Sequence, residues 1–158
     1  SSDLNDYFQD QGGLGVTAKE YLERAFYIND EIDENILQLE KLDSDICRCT
    51  KIITDMPSGV HSDNSAEIKL AAYIDKHEEL TQKINEDTDK LVETKKEIRL
   101  KIYRITNPKY RLVLMKRYIR LKKWEQIQEE LRYEELSSVH KVHRKALVEF
   151  IKIHGNNF

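Results

Sequence analysis

The chain has 158 residues, 39% hydrophobic and 35% charged, with five Gly, two Pro and two Cys. So few helix breakers among so much Glu, Lys, Leu and Ile point to an all-α fold of one domain or two small ones, not a sheet-rich or disulfide-stapled one. The formal net charge of −3 hides a split: residues 107–158 hold twelve Lys or Arg and six Asp or Glu, a net of +6, and the first 106 residues a net of −9. Between Lys109 and Lys123 there are seven basic residues and no acid, so one end of the chain is suited to a polyanion. No apolar run approaches the roughly 20 residues of a membrane span, and no basic-then-apolar segment of signal-peptide type opens the sequence, so a cytoplasmic protein without a membrane partner is expected.

Residues 1–16 are acidic and end Gly-rich. They read either as a flexible tail or appended remnant, or as a short docking peptide around Leu4, Tyr7 and Phe8. From Thr17 the pattern becomes helical. Thr17 stands three residues before Glu20, the spacing of a capping box. Apolar positions then recur at Ala25, Ile28, Ile32, Leu39, Leu42, Ile46, Cys49 and Ile53. Steps of three and four make this a heptad seam, with Asn35 or Ile36 bridging its one gap. Asn35 reads equally as a register-fixing residue or a plain interruption.

Met56-Pro57-Ser58-Gly59 stops the helix, and a polar loop runs to about Ser65. A second seam follows at Leu70, Tyr73 or Ile74, His77, Leu80, Ile84, Thr88, Leu91, Lys95, Ile98, Ile102 and Ile105. Its middle is weak, since Thr88 and Lys95 stand where apolar residues would be expected. Residues 17–106 should fold back as a long antiparallel helical hairpin of coiled-coil type. Two narrow seams bury little core, so the hairpin is expected to form a homo-oligomer (a dimer) or to hold another protein. Cys47 and Cys49 are expected to be free thiols.

Asn107 and Pro108 break the second helix and start a third, with Asn107 as cap and Pro108 in the first turn. That helix is expected to reach about Arg120, burying Tyr110, Val113, Leu114, the stem of Arg117 and Tyr118. Leu121-Lys122-Lys123 connects it to a two-turn helix over residues 124–131, with Trp124, Ile127 and Leu131 inward. Residues 132–136 form a turn. Ser137 or Ser138 caps a last helix that buries Val139, Val142, Ala146, Phe150 and Ile153.

A short helix, a turn and a longer helix make a helix-turn-helix, so residues 107–158 read as a DNA-binding domain. Ser138, His140, Lys141, Arg144 and Lys145 lie off the buried stripe, where Arg and Lys can reach guanine O6 and N7. Lys122 and Lys123 are placed for backbone phosphates. His140 reads as a groove contact and His143 as a partly packed side chain. Their spacing would also suit a metal, but no third ligand is visible, so no cofactor is expected. There is no Gly-rich phosphate loop and no nucleophile elbow, and the carboxylates are spread along helix faces, so no enzyme is expected.

Several stretches carry a family resemblance: Asn107-Pro108-Lys109-Tyr110-Arg111, Leu114-Met115-Lys116-Arg117-Tyr118, Trp124-Glu125-Gln126-Ile127 and Val139-His140-Lys141-Val142-His143-Arg144-Lys145-Ala146-Leu147. The Thr17-Ala18-Lys19-Glu20-Tyr21-Leu22 opening and the Met56-Pro57-Ser58 break belong with them. In these the chain resembles small proteins of Firmicutes phages and prophages whose C-terminal domain is similar to region four of sigma-70 factors, related to the RinA/ArpU late-transcription regulators. The resemblance covers roughly residues 17–150. It implies a transcriptional regulator that binds double-stranded DNA and is able to contact RNA polymerase.

One departure stands out. Sigma-type motifs place the first buried Val about seven residues after the Leu that closes the first helix; here Leu131 to Val139 is eight, and the Gly common after that Leu is Arg132. Either the turn bulges with Leu136 filling the gap, or the second helix is re-aimed, and Glu134 and Glu135 come near DNA phosphates. Two other functions fit the same residues: a protein-interaction module acting on a host factor through the acidic hairpin, and a packaging-type DNA-binding protein.

Overall fold

The computed structural model describes residues 16–57 and 64–158. These residues form five α-helices and no strand: α1 (Ala18–Thr54), α2 (Ser65–Ile102), α3 (Pro108–Leu114), α4 (Trp124–Glu130) and α5 (Leu136–His154). A turn of π-helix (Met115–Ile119) extends α3. The fold is all-α, with α1 and α2 paired as a long antiparallel hairpin. The docking-peptide reading of Leu4, Tyr7 and Phe8 lies outside the described residues. Among those described, no helix is long and apolar enough to cross a membrane.

The chain divides into two compact units, Ile28–Lys90 and residues 16–27 together with Leu91–Phe158. In the first, the seam is narrow. Ile28, Ile32 and Leu80 are buried, whereas Asn35, Leu39, Leu42, Ile46, Cys49 and Ile53 of α1 are only half-buried. The seam therefore runs through Asn35 and leaves Ile36 outside. On α2, Tyr73 holds the seam and Ile74 is exposed. The polar seam position is Asp87, not Thr88. A carboxylate is tolerated there because Lys83, one turn earlier, puts Nζ 2.8 Å from both Asp87 oxygens. Exposed Thr88 satisfies its hydroxyl on the Ile84 carbonyl at 2.7 Å. Across the hairpin, His77 Nε2 lies 2.9 Å from Asp43 Oδ1. Cys47 and Cys49 are free thiols.

The second unit holds the larger core. Ala18, Tyr21, Leu22 and Ala25 of α1 pack with Ile98 and Ile102 of α2, Ile105, and Leu114, Tyr118, Ile119, Ala146, Leu147 and Phe150. The core thus crosses residue 106, the expected edge of the helix-turn-helix segment. Helices as short as α3 and α4 cannot cover the stripe of α5 alone, so both ends of the hairpin complete it. At the α2 end of the seam, Thr94 is buried and Lys95 only half-buried. Burial, and then Arg99 and Arg120, lower the pKa of that ammonium.

Cap chemistry sets the helix starts. Thr17 N and Oγ1 each lie 2.8 Å from Glu20 Oε2, and Glu20 N–H donates to Thr17 Oγ1 at 3.3 Å, closing the expected box. The other chain end adds to it. Asn156 Oδ1 accepts from Ala18 N–H at 2.8 Å, Phe158 N–H donates to the Val16 carbonyl at 3.0 Å, and the Phe158 ring stacks on Tyr21 with centroids 4.3 Å apart. Asn107 Oδ1 accepts from Lys109 N–H at 2.9 Å, and Pro108 opens α3.

The expected third helix is present but changes period. The Arg120 N–H donates to the Met115 carbonyl at 3.0 Å. The wider π-turn repeats a face after five residues, so Val113 and Leu114 are buried and so are Tyr118 and Ile119. Leu121 then takes a left-handed conformation, φ 55°, to turn the chain into α4.

The link from α4 to α5 corrects the expected cap. Arg132 adopts φ 57°. Tyr133 N–H donates to the Gln128 carbonyl at 3.0 Å and Arg132 N–H to that of Glu129 at 3.2 Å, the paired bonds of a Schellman ending with Arg in the position usual for Gly. Gln128 Nε2 then donates to the Tyr133 and Glu134 carbonyls at 3.3 and 3.2 Å, holding the turn open. As a result α5 starts at Leu136 with Glu135 as its cap residue, and neither Ser137 nor Ser138 caps it. Ile153 is 40% exposed and lies outside the stripe, which takes His143 and Leu147 instead.

A left-handed L-residue costs about 1–2 kcal/mol, and the extra chain entropy of Gly offsets about 0.5–1 of any relief. Arg132→Gly should therefore stabilise the protein by up to about 1 kcal/mol in urea denaturation. Leu121→Gly, which removes a half-buried side chain, should destabilise it.

Candidate nucleic-acid interface

Beneath α5, one buried polar contact joins it to the π-turn. Tyr118 Oη and His143 Nε2 are 2.8 Å apart, and the two residues are 1% and 7% exposed. Burial, assisted by Lys19, Arg117, His140 and Arg144, pushes the His143 pKa down to about 3. Burial, with Glu23 nearby, pushes the Tyr118 phenol up. Both partners are therefore neutral at neutral pH, and the hydrogen bond joins two uncharged groups. His143 is thus a core residue and not a partly packed one; its partner is 25 positions away on another helix.

Tilted and edge-on ring contacts extend this contact to the other elements. The Trp124 ring lies 4.6 Å from that of His143 and 4.8 Å from that of His140. The Arg117 guanidinium is 4.5 Å from the Trp124 centroid and 4.6 Å from that of Phe26. Arg117 Nη1 also donates to the Lys122 carbonyl at 2.9 Å. One chain of ring and cation–π contacts therefore joins α1, the π-turn, α4 and α5.

Above that base, the structure brings together only part of the predicted set. Lys141, Arg144 and Lys145 are exposed on one face of α5, opposite the buried stripe, and among the described residues no ion pair holds them. His140 is half-buried against Trp124, so it supports that face more than it extends it. Ser138 is half-buried, with its N–H on the Glu135 carbonyl at 3.2 Å. Lys123 is exposed at the start of α4, where its N–H donates to Gln126 Oε1 at 3.0 Å. Lys122 is half-buried and ion-paired to Glu130, which also holds Lys116.

The basic run is therefore only partly free surface. Arg111 Nη1 donates to the carbonyls of Ile105 and Thr106 at 2.6 and 2.8 Å, holding the link between α2 and α3. Lys116, Arg117 and Lys122 are engaged as described. Lys109, Arg120 and Lys123 are exposed. Ser137 joins the free face: it is exposed one turn before Lys141, although its hydroxyl lies 2.9 Å from Glu135 Oε2. The i, i+4, i+7 spacing of Ser137, Lys141 and Arg144 carried that signal, but the expected capping role concealed it. Glu134 and Glu135 are exposed just before α5.

No protein-family model, curated protein or solved structure matches the chain.

The buried histidine sets a pH dependence. The folded protein needs His143 neutral, whereas an unfolded histidine takes up a proton near pH 6.5. Its contribution is complete above about pH 6.5 and is lost as pH falls toward 3. Urea denaturation should show stability declining by up to about 1.4 kcal/mol per pH unit below that point. His143→Gln, which keeps a hydrogen-bonding group and removes the titration, should flatten the decline.

Proposed function

We propose that the chain is a transcriptional regulator of phage or prophage genes that binds duplex DNA by laying the N-terminal half of α5 in the major groove. The observation that carries this reading is the free basic face of Lys141, Arg144 and Lys145 on a helix whose opposite face is locked into the core. Arg and Lys so placed match the acceptors of guanine, and a helix seated in the core presents them without further backbone ordering. Ser137 adds a hydroxyl on the same face, and Lys123 at the start of α4 suits a backbone phosphate. The net +6 of residues 107–158 supports the same partner. Glu134 and Glu135 repel phosphate, which confines the docking stretch to residues from Ser137 onward. The resemblance to phage proteins with a sigma region-four-like domain is in keeping with this role, and RNA polymerase is then a natural second partner.

The half-buried seam of Ile28–Lys90 favours a subsidiary role for the hairpin, as a dimerisation element or a docking face for a host protein. Either would act beside DNA binding and does not replace it.

Fluorescence anisotropy with labelled duplex DNA tests the reading. Lys141→Ala/Arg144→Ala should weaken binding at least about tenfold, because one good base contact is worth about 1–3 kcal/mol. With about four phosphate contacts, log affinity should fall against log salt with a slope near −4. Binding that ignores both the double substitution and the salt would contradict the assignment.

A further inference from the structure

Glu130 sits at the last turn of α4 with each carboxylate oxygen on a different lysine: Oε2 on Lys116 Nζ from the π-turn and Oε1 on Lys122 Nζ from the connection before α4. All three side chains are partly accessible, at 25–33% exposure. Two ammonium groups converging on one pair of anionic oxygens is the arrangement that a phosphodiester, which also offers two anionic oxygens, would use. The flank of the first helix of a helix-turn-helix is also where the DNA backbone runs.

We propose that Glu130 is a built-in competitor for DNA: its carboxylate occupies Lys116 and Lys122 in the free protein and gives both up to a backbone phosphate when duplex docks. This rests on the DNA-binding reading and adds to it a phosphate site and an affinity brake. Accessible ion pairs contribute modest net stability, so a phosphate that replaces the lost partner and releases condensed counterions can displace the carboxylate, yet the two pairs together lower affinity several-fold. The brake would act most on non-specific binding, which is almost wholly electrostatic. A protein that keeps two lysines occupied until α5 has found its groove gains discrimination between sites without any additional base contact. Lys116 thereby becomes a DNA contact although it lies outside both helices of the motif.

The test compares the full-length wild type with Glu130→Gln, Glu129→Gln and Glu130→Gln/Lys116→Ala/Lys122→Ala by anisotropy on a mixed-sequence duplex of about two helical turns. Glu129 is exposed on the same helix and controls for the bulk loss of one negative charge. The expected result is binding about three- to tenfold tighter for Glu130→Gln, at most about twofold tighter for Glu129→Gln, and no gain in the triple variant. Equal gains for the two single variants would overturn the proposal. So would weaker binding by Glu130→Gln with a lowered unfolding temperature, which would make Glu130 a structural strut. Lys141→Ala/Arg144→Ala, run alongside, separates the two levels. If it weakens binding while Glu130→Gln gains nothing, only the brake fails; if it has no effect, the DNA reading fails and the brake with it.

Discussion

Tyr118 and His143 meet inside the core as two polar side chains whose nearest alternative is apolar packing. Leaving either group buried without a partner would cost about 1–3 kcal/mol. Their 2.8 Å contact is therefore favourable in one register of α5 against the π-turn and costly in any neighbouring one. The remaining features of the unit follow from that register. The π-turn widens the helix so that Tyr118 and Ile119 point inward together. Trp124 packs edge-on against the histidine ring, and Arg117 on Trp124. With His143 inward, the 100° step of the helix sends Lys141, Arg144 and Lys145 outward. A rotation of α5 by one residue would move the charged face off its present direction and break the hydrogen bond at the same time.

Electrostatics act on a second level. Near α3 and α4, several positive side chains are engaged within the fold: Arg111 holds the link between α2 and α3, Arg117 fills an aromatic slot, and Lys116 and Lys122 bracket Glu130. On α5 they have no such duty. The basic residues of the C-terminal segment are thus divided by the fold into those engaged by neighbouring side chains or carbonyls and those left exposed. Acids are distributed to match, with Glu130 inside the bracket and Glu134 and Glu135 marking one limit of the free face.

Some of this was readable in the residues and some was not. Helix starts at Thr17 and Asn107 and the stop near Pro57 follow from local chemistry, a side-chain acceptor or a missing N–H, and need nothing from the rest of the chain. The α1 seam was readable because Ile and Leu recur at steps of three and four. On α2, adjacent polar residues made the phase ambiguous, and Asp87 could take the seam only because Lys83 neutralises it. The cap of α5 was obscured by the left-handed Arg132, a conformation its residue type does not advertise. The burial of His143 and the pairing of Lys116 and Lys122 depend on residues 8–25 positions distant, and periodicity carries no information about such partners. For the candidate site, Lys141, Arg144 and Lys145 were readable from helical phase alone. The supporting role of His140 and the engagement of Lys122 were not.

The central claim is that α5, held by Tyr118 and Trp124, meets DNA through its outward face. Amide chemical-shift mapping of the isotope-labelled protein, titrated with duplex, tests this most directly because it reports which backbone sites sense the ligand. The account predicts perturbations concentrated between Ser137 and Lys145, with a second group at Lys122 and Lys123. Perturbations confined to the Ile28–Lys90 unit, or none at saturating duplex, would contradict it.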